Sequence, residues 1–279
     1  MKAQKFIVYS NIWVSLGASA FTAFAYVAYN LEPNLYYLLF IFSSTLSVYT
    51  FHRIIRFYDQ KPENNTLSER HLWIIAHKKS LLALFVLSTI LSGYSLLHLP
   101  AYRLAKLLLP AVLPVLLYIL PSNKFFKGLR HIPFLKVPVV GFIWMFLCGY
   151  IPLELEQIDY TWHFLVAQML FIIAITLPFE IRDIKVDTTE NVKSFATALG
   201  IKNTQKLALL LVIASYFLIW ADTSITITAL ASWTLTVLIC LPLILNSKED
   251  KPELYFSGLV ESALFYPIFF YLILRLILS

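Results

Sequence analysis

Three carboxylates in one short stretch, Glu180, Asp183 and Asp187, are the side chains of this chain best suited to do chemistry. They stand at i, i+3 and i+7. At about 100° per residue that spacing gathers them within a ~60° arc of one helix face, over about 10 Å of axis. Like charges stacked this way repel one another, and the C-terminal dipole of a helix ending nearby disfavours them further. A cation resolves the conflict. Magnesium fits, because it takes oxygen ligands from one or two carboxylates and completes its shell with substrate phosphates. The same spacing also describes a solvated helix end whose acids pair with Arg182 and Lys185, and spacing alone does not separate the two readings.

A second polar set lies at His52, Arg56 and Asp59, which share a helix face at i, i+4 and i+7. Arg56 could grip a phosphate-bearing anion directly, since guanidinium recognises phosphate in a planar, bidentate manner. It could equally pair with Asp59, or extend to the membrane interface. The basic residues Lys124, Lys127, Arg130 and Lys136 could attract an anionic substrate, or could record only the bias of basic residues toward the cytoplasmic side. Glu261 sits in an apolar run, where an ionisable group faces the bundle interior by default.

These residues need elements to position them, and composition says which. Of 279 residues, 59% are hydrophobic and 14% charged, and the mean hydropathy is +0.74. A soluble fold of this length could not cover so much apolar surface. The two cysteines, Cys148 and Cys240, form no Cys-x-x-Cys pair, and no P-loop, His-Glu-x-x-His or dinucleotide-binding glycine pattern occurs. Nothing resembles a basic nucleic-acid face. The apolar run after Lys2 and Lys5 continues to Tyr29 without a polar break, which predicts a first membrane helix rather than a cleaved signal.

A membrane helix needs about 20 mostly apolar residues. Nine segments approach that length: 7–29, 35–57, 80–97, 104–120, 137–153, 162–179, 206–220, 225–246 and 257–278. With the N-terminus inside and strict alternation, all 22 basic residues except Arg103, Lys106 and Arg275 fall on the inner side. The sequence therefore predicts an all-α, polytopic membrane bundle of about nine helices in a single domain over 1–279. Its N-terminus is cytoplasmic, its C-terminus opposite, and the inner loops 58–79, 121–136 and 180–205 cap a cytoplasmic site.

Glu180-x-x-Asp183-x-x-x-Asp187 after a membrane helix, followed by Lys193-Ser194-Phe195-Ala196-Thr197-Ala198-Leu199-Gly200, resembles the second aspartate-rich motif of the UbiA-type polyprenyl transferases. The helix count and the long inner loops after helices two and six are also similar. The resemblance implies a membrane prenyltransferase that binds a prenyl diphosphate through Mg2+ and passes its prenyl group to an aromatic or other lipophilic acceptor within the lipid. Carried over, it implies Glu180, Asp183 and Asp187 as metal ligands, and Lys193 with Arg56 neutralising the leaving diphosphate. His52, Asp59, Lys124 and Arg130 would stand near the substrate. The family's first motif, Asn-x-x-x-Asp-x-x-x-Asp, is not matched: the corresponding register reads His52-x-x-x-Arg56-x-x-x-Gln60, with Asp59 one residue off. A non-catalytic relative that binds a prenyl lipid or a membrane partner is the alternative this departure raises.

Overall fold

The computed structural model describes residues 2–57, 69–119, 132–189 and 191–278, and those residues form helices joined by short connections. In chain order they are α1 (Lys2–Tyr9), α2 (Ile12–Ala28), α3 (Leu35–Phe57), α4 (Glu69–Ala76), α5 (Lys78–Leu97), α6 (Ala101–Ile119), α7 (Lys136–Met145), α8 (Ile151–Glu156), α9 (Trp162–Thr189), α10 (Phe195–Leu199), α11 (Ile201–Ala221), α12 (Ile227–Leu245) and α13 (Tyr266–Leu278). A wide π-type turn, Phe146–Tyr150, joins α7 to α8, so that Lys136–Glu156 runs as one rod. A second such turn, Tyr255–Val260, and a 3-10 turn, Glu261–Leu264, lead into α13 with a 50° bend.

Six of these rods are long and apolar enough to cross a bilayer: 35–55, 78–97, 136–156, 162–189, 201–221 and 227–245. The bent pair 255–264 and 266–278 makes a seventh. The other two expected segments are present as helices but fall outside that set. α2 has 17 residues, and α6 carries Pro110 and Pro114. Length and composition thus support up to seven spans among the described residues, against the nine expected. The break expected at 221–224 is where α11 ends and α12 begins.

Two expected loops are more helical than the sequence suggested. The segment 180–205 continues α9 to Thr189, forms α10 and resumes as α11 at Ile201. Polar residues did not stop α9, because its last turns still bury Ile181 and Asp187 on one side. In 58–79, α4 packs against α1, α3 and α5. The third expected loop, 121–136, lies outside the described residues apart from 132–136.

The core is aromatic. Phe21 and Phe24 from α2, Phe164 and Phe171 from α9, and Trp233 from α12 are fully buried. The Phe171 and Trp233 ring centroids are 4.9 Å apart and those of Phe24 and Trp233 5.5 Å. Such pairs add about 0.5–1.5 kcal/mol beyond the area they bury. Lipid tails are as apolar as these side chains, so close packing rather than exclusion of water holds the helices together. Gly141 and Gly149 permit that approach: a Cβ would meet Ile173 at 2.5 Å from the first and Gln168 at 2.1 Å from the second. Both neighbours belong to α9, which is thereby held firmly enough to position a site at its far end.

Candidate functional site

At the end of the bundle where α3 and α9 carry their arginines, five segments bring charged and polar groups together. Here this is called the charged end. Arg70 of α4 is 2% exposed, in a place that the surrounding apolar sequence would not accept without partners. Its Nη1 donates to Ser257 Oγ at 2.7 Å and lies 3.5 Å from Glu253 Oε1. Its Nη2 donates to Asn11 Oδ1 at 3.0 Å and to the Val8 carbonyl at 3.3 Å. Arg53 of α3 donates from Nε to the same Asn11 oxygen at 2.9 Å. Arg182 of α9 donates from Nη1 to Glu253 Oε1 at 3.0 Å. It also grips its neighbour Asp183 with Nε at 2.8 Å and Nη2 at 3.1 Å. The Arg182 guanidinium carbon stands 5.0 Å from the Phe179 ring centre and 5.9 Å from that of Phe256, within reach of cation–π attraction.

Local chain geometry explains why these groups meet. Asn11 precedes α2 in the left-handed region, at φ 69°, and its side chain does not cap the helix. Asn tolerates that region better than most residues. The turn instead turns its carboxamide oxygen toward two guanidiniums. Glu253, Ser257 and Glu261 are four residues apart, so an α-helix would rotate each about 40° from the last. The wide turn at Tyr255–Val260 reduces that drift, and π-type turns are frequent at functional sites. Ser257 donates to Glu253 Oε1 at 2.8 Å. Glu261 interacts electrostatically with Arg53, Arg70 and Arg182.

Burial opposes ionisation of Glu253, which stands just before the last span, but Arg182 and Arg70 outweigh it and hold the carboxyl below its ordinary value of 4.5. Among the described residues the cluster balances Arg53, Arg70 and Arg182 against Asp183, Glu253 and Glu261. Two buried polar atoms in it lack a hydrogen-bond partner, Arg70 Nε and Glu261 Oε2.

The carboxylates singled out in the sequence make different contacts. Glu180 is 1% exposed and accepts the Phe195 N–H at 2.8 Å. It thereby fixes the start of α10, whose own cap is a reciprocal Ser194–Thr197 pair. Asp187 is buried on the same side, and its carbonyl accepts the Val192 N–H at 2.8 Å. Asp183 belongs to Arg182. Among the described residues no group of three or more His, Cys, Asp or Glu is arranged to hold a metal. Glu180, Asp183 and Asp187 therefore do not fit a three-carboxylate magnesium site in this conformation. A hydrogen bond to the chain's own backbone compensates Glu180, and a two-pronged ion pair compensates Asp183.

Lys193 is exposed, with its carbonyl accepting the Phe134 N–H at 3.3 Å, on the Glu180 side. His52 is half-buried on α3 beside Arg53. Arg56 lies on the last turn of α3, but its side chain lies outside the described residues, as do Asp59, Lys124 and Arg130. Sequence reasoning passed over Arg53, Arg70 and Glu253. The available signal was the four-residue spacing of Glu253, Ser257 and Glu261 at the mouth of an apolar helix, which demands cations from elsewhere.

No family model matches the chain, and no curated protein matches it. Solved structures do. The apo structure of a UbiA homolog from Aeropyrum pernix K1 superimposes with a TM-score of 0.63 at 17% identity, covering 94% of this chain and 95% of that one. A UbiA homolog from Archaeoglobus fulgidus gives 0.62 at 10% identity, covering 97% and 98%. The same homolog bound to GPP and Mg2+ gives 0.62 at 11%, covering 97% and 99%. The chain has the helical membrane fold of these UbiA homologs over nearly its whole length.

Proposed function

We propose that this protein is a UbiA-like membrane prenyltransferase that binds a prenyl diphosphate at the charged end and transfers the prenyl group to an aromatic or other lipophilic acceptor. The observation that carries the reading is the gathering of Arg53, Arg70 and Arg182 at one end of an otherwise apolar bundle, in a fold shared with a homolog bound to GPP and Mg2+. An arginine-lined end with apolar helices behind it suits a substrate with an anionic head and a hydrocarbon tail.

Magnesium accompanying the substrate would add to the stabilisation of the diphosphate's charge, and Asp183, the motif carboxylate in contact with Arg182, would be the protein group to hold it. The chain's own residues do the rest. Guanidiniums orient the diphosphate and stabilise the charge it gains as the allylic C–O bond breaks and the bonding pair departs with it. The resulting allylic cation is attacked by an electron-rich carbon of the acceptor, which then loses its proton to water. Aromatic faces can shield the cation meanwhile. Arg56, His52 and Asp59 at the end of α3, the basic Lys124 and Arg130, and Lys193 are further candidates to draw the anion in. The domain is single over 1–279, with its N-terminus and charged end cytoplasmic and its C-terminus opposite, as the basic-residue distribution supports.

One observation favours a second reading, a non-catalytic relative that binds a prenyl lipid or membrane partner: two acidic residues of the motif, Glu180 and Asp183, are engaged by the Phe195 N–H and by Arg182. The test is incubation of the detergent-purified protein with geranyl diphosphate and an aromatic acid acceptor, with and without magnesium. Release of diphosphate matched by prenylated product supports the transferase. Saturable binding without turnover supports the second reading.

A further inference from the structure

Glu253 holds an unusual place for a structural acid. Its Oε1 is reached by Arg182 Nη1 at 3.0 Å, Ser257 Oγ at 2.8 Å and Arg70 Nη1 at 3.5 Å. Ser257 Oγ in turn accepts from Arg70 Nη1 at 2.7 Å, with Arg182 Nη1 at 3.5 Å. One anionic oxygen thus sits between two guanidiniums and a hydroxyl, a donor set that phosphoryl oxygens take readily. The side chains of Arg70 and Glu253 are 3% and 11% exposed. Arg70 Nε, within the cluster, is a buried donor without a partner. Leaving a buried donor unmade is unfavourable, and an anion larger than a single carboxylate could satisfy it. Glu253 itself follows Pro252 at the start of the last helical segment, after the short connection from α12. It is therefore nearer a chain end of that segment than Ser257 or Glu261.

We infer that Arg70, Arg182 and Ser257 form a diphosphate-binding site that Glu253 occupies as a resident stand-in for the substrate's phosphoryl group. The inference rests on the proposed prenyl-diphosphate function for the identity of its ligand and specifies which groups meet the head. Binding moves the Glu253 carboxylate out toward solvent, and the diphosphate takes over its contacts to both guanidiniums. The site accepts the anion without a protein-held metal, since guanidiniums stand where the motif carboxylates do not converge. Glu253 then also keeps the arginines compensated while the site is empty. An uncompensated buried charge would otherwise be strongly destabilising.

The test is equilibrium binding to the full chain in detergent, with excess chelator. Inorganic pyrophosphate probes the head alone and geranyl diphosphate adds the tail. The variants are Glu253→Gln, which keeps shape and removes the competing charge, and Glu249→Gln. The latter is the same charge change at an exposed residue paired with Lys185. A resident competitor lowers apparent affinity by the fraction of time the site is open, so Glu253→Gln should bind pyrophosphate about tenfold or more tightly than wild type. Glu249→Gln should match wild type within about twofold. Should Glu253→Gln fail to fold, a thermal-melting series of the wild type decides. Pyrophosphate under chelator raising the melting temperature, and the rise vanishing in Arg70→Lys, supports the site, and no rise overturns it. Unchanged or weaker pyrophosphate binding by folded Glu253→Gln overturns the stand-in even if geranyl diphosphate binds with magnesium, which would leave the transferase reading intact. Tight pyrophosphate binding by Glu253→Gln with no preference for the geranyl compound upholds the anion site and removes the prenyl reading.

Discussion

The two sides of the end of α9 carry acids of similar appearance and opposite use. On one side Glu180 and Asp187 are buried, and Glu180 is committed to the backbone of α10. On the other, Arg182 reaches away with Asp183 in its grip and meets Glu253 from the far end of the chain. The first side is local, a device for folding a tight turn after a long helix. The second is assembled from α3, α4, α9, the start of α2 and the last helical segment. A motif's spacing shows which face residues share, but what lies opposite that face decides whether they hold a cation, a backbone or one another.

The largest effect that would sharpen this contrast comes from Arg70. Arg70→Leu strips Ser257, Asn11 and Glu253 of a buried partner, and removal of one member of such a pair costs about 3–5 kcal/mol. A loss of that size should appear in thermal melting or denaturant unfolding in detergent. An effect under about 1 kcal/mol would place the cluster in water and break the comparison.

Glu180→Ala comes next. It removes a charge-assisted bond to the Phe195 N–H, worth about 1.5–3 kcal/mol, while Glu180→Gln retains an acceptor there and should lose less. On the present account neither changes the magnesium dependence of ligand binding. A shift in that dependence with Glu180→Gln, at unchanged melting temperature, would return Glu180 to the metal.

Acidity supplies a third, smaller test. The Glu253 carboxyl is held below 4.5 by Arg182 and Arg70 against the opposing effect of burial. Its contribution is complete above the unfolded-state value and is lost as pH falls through the lower folded value. Wild type should therefore lose melting temperature below about pH 4.5 more steeply than Glu253→Gln. Parallel profiles would mean that Glu253 carries no linked charge. The smallest effect belongs to the exposed Lys5–Glu69 contact, which also includes the Tyr9 hydroxyl. Glu69→Gln should change stability by about 0–1 kcal/mol, fading with salt.

Much of the architecture was readable because the bilayer imposes a length on apolar runs. The break at 221–224, the prolines within α6 and the interior placement of Glu261 all follow from that rule. Length and composition support seven of the nine expected spans among the described residues; of the other two segments, α2 is short and α6 carries two prolines. The candidate site was half legible. Glu180, Asp183 and Asp187 do lie on the end of one helix, but their partners, Phe195 N–H and Arg182, are a backbone group and a sequence neighbour that facial geometry ignores. Arg70 looked like one more basic loop residue, since nothing local reveals that α4 folds back against α1 and the final segment. Long-range pairing of Arg70 with Glu253, 183 positions apart, is a property of the fold alone.

The central claim is that guanidiniums on the Arg182 side, rather than carboxylates on the Glu180 side, receive the diphosphate. Titration of wild type, Arg182→Gln and Glu180→Gln with a non-hydrolysable geranyl diphosphate analogue, under chelator and then with magnesium, tests it most directly. The account predicts wild-type binding that persists under chelator, is only modestly strengthened by magnesium, falls at least about tenfold in Arg182→Gln and is unaltered in Glu180→Gln. Binding that requires magnesium, survives Arg182→Gln and disappears in a folded Glu180→Gln would contradict it.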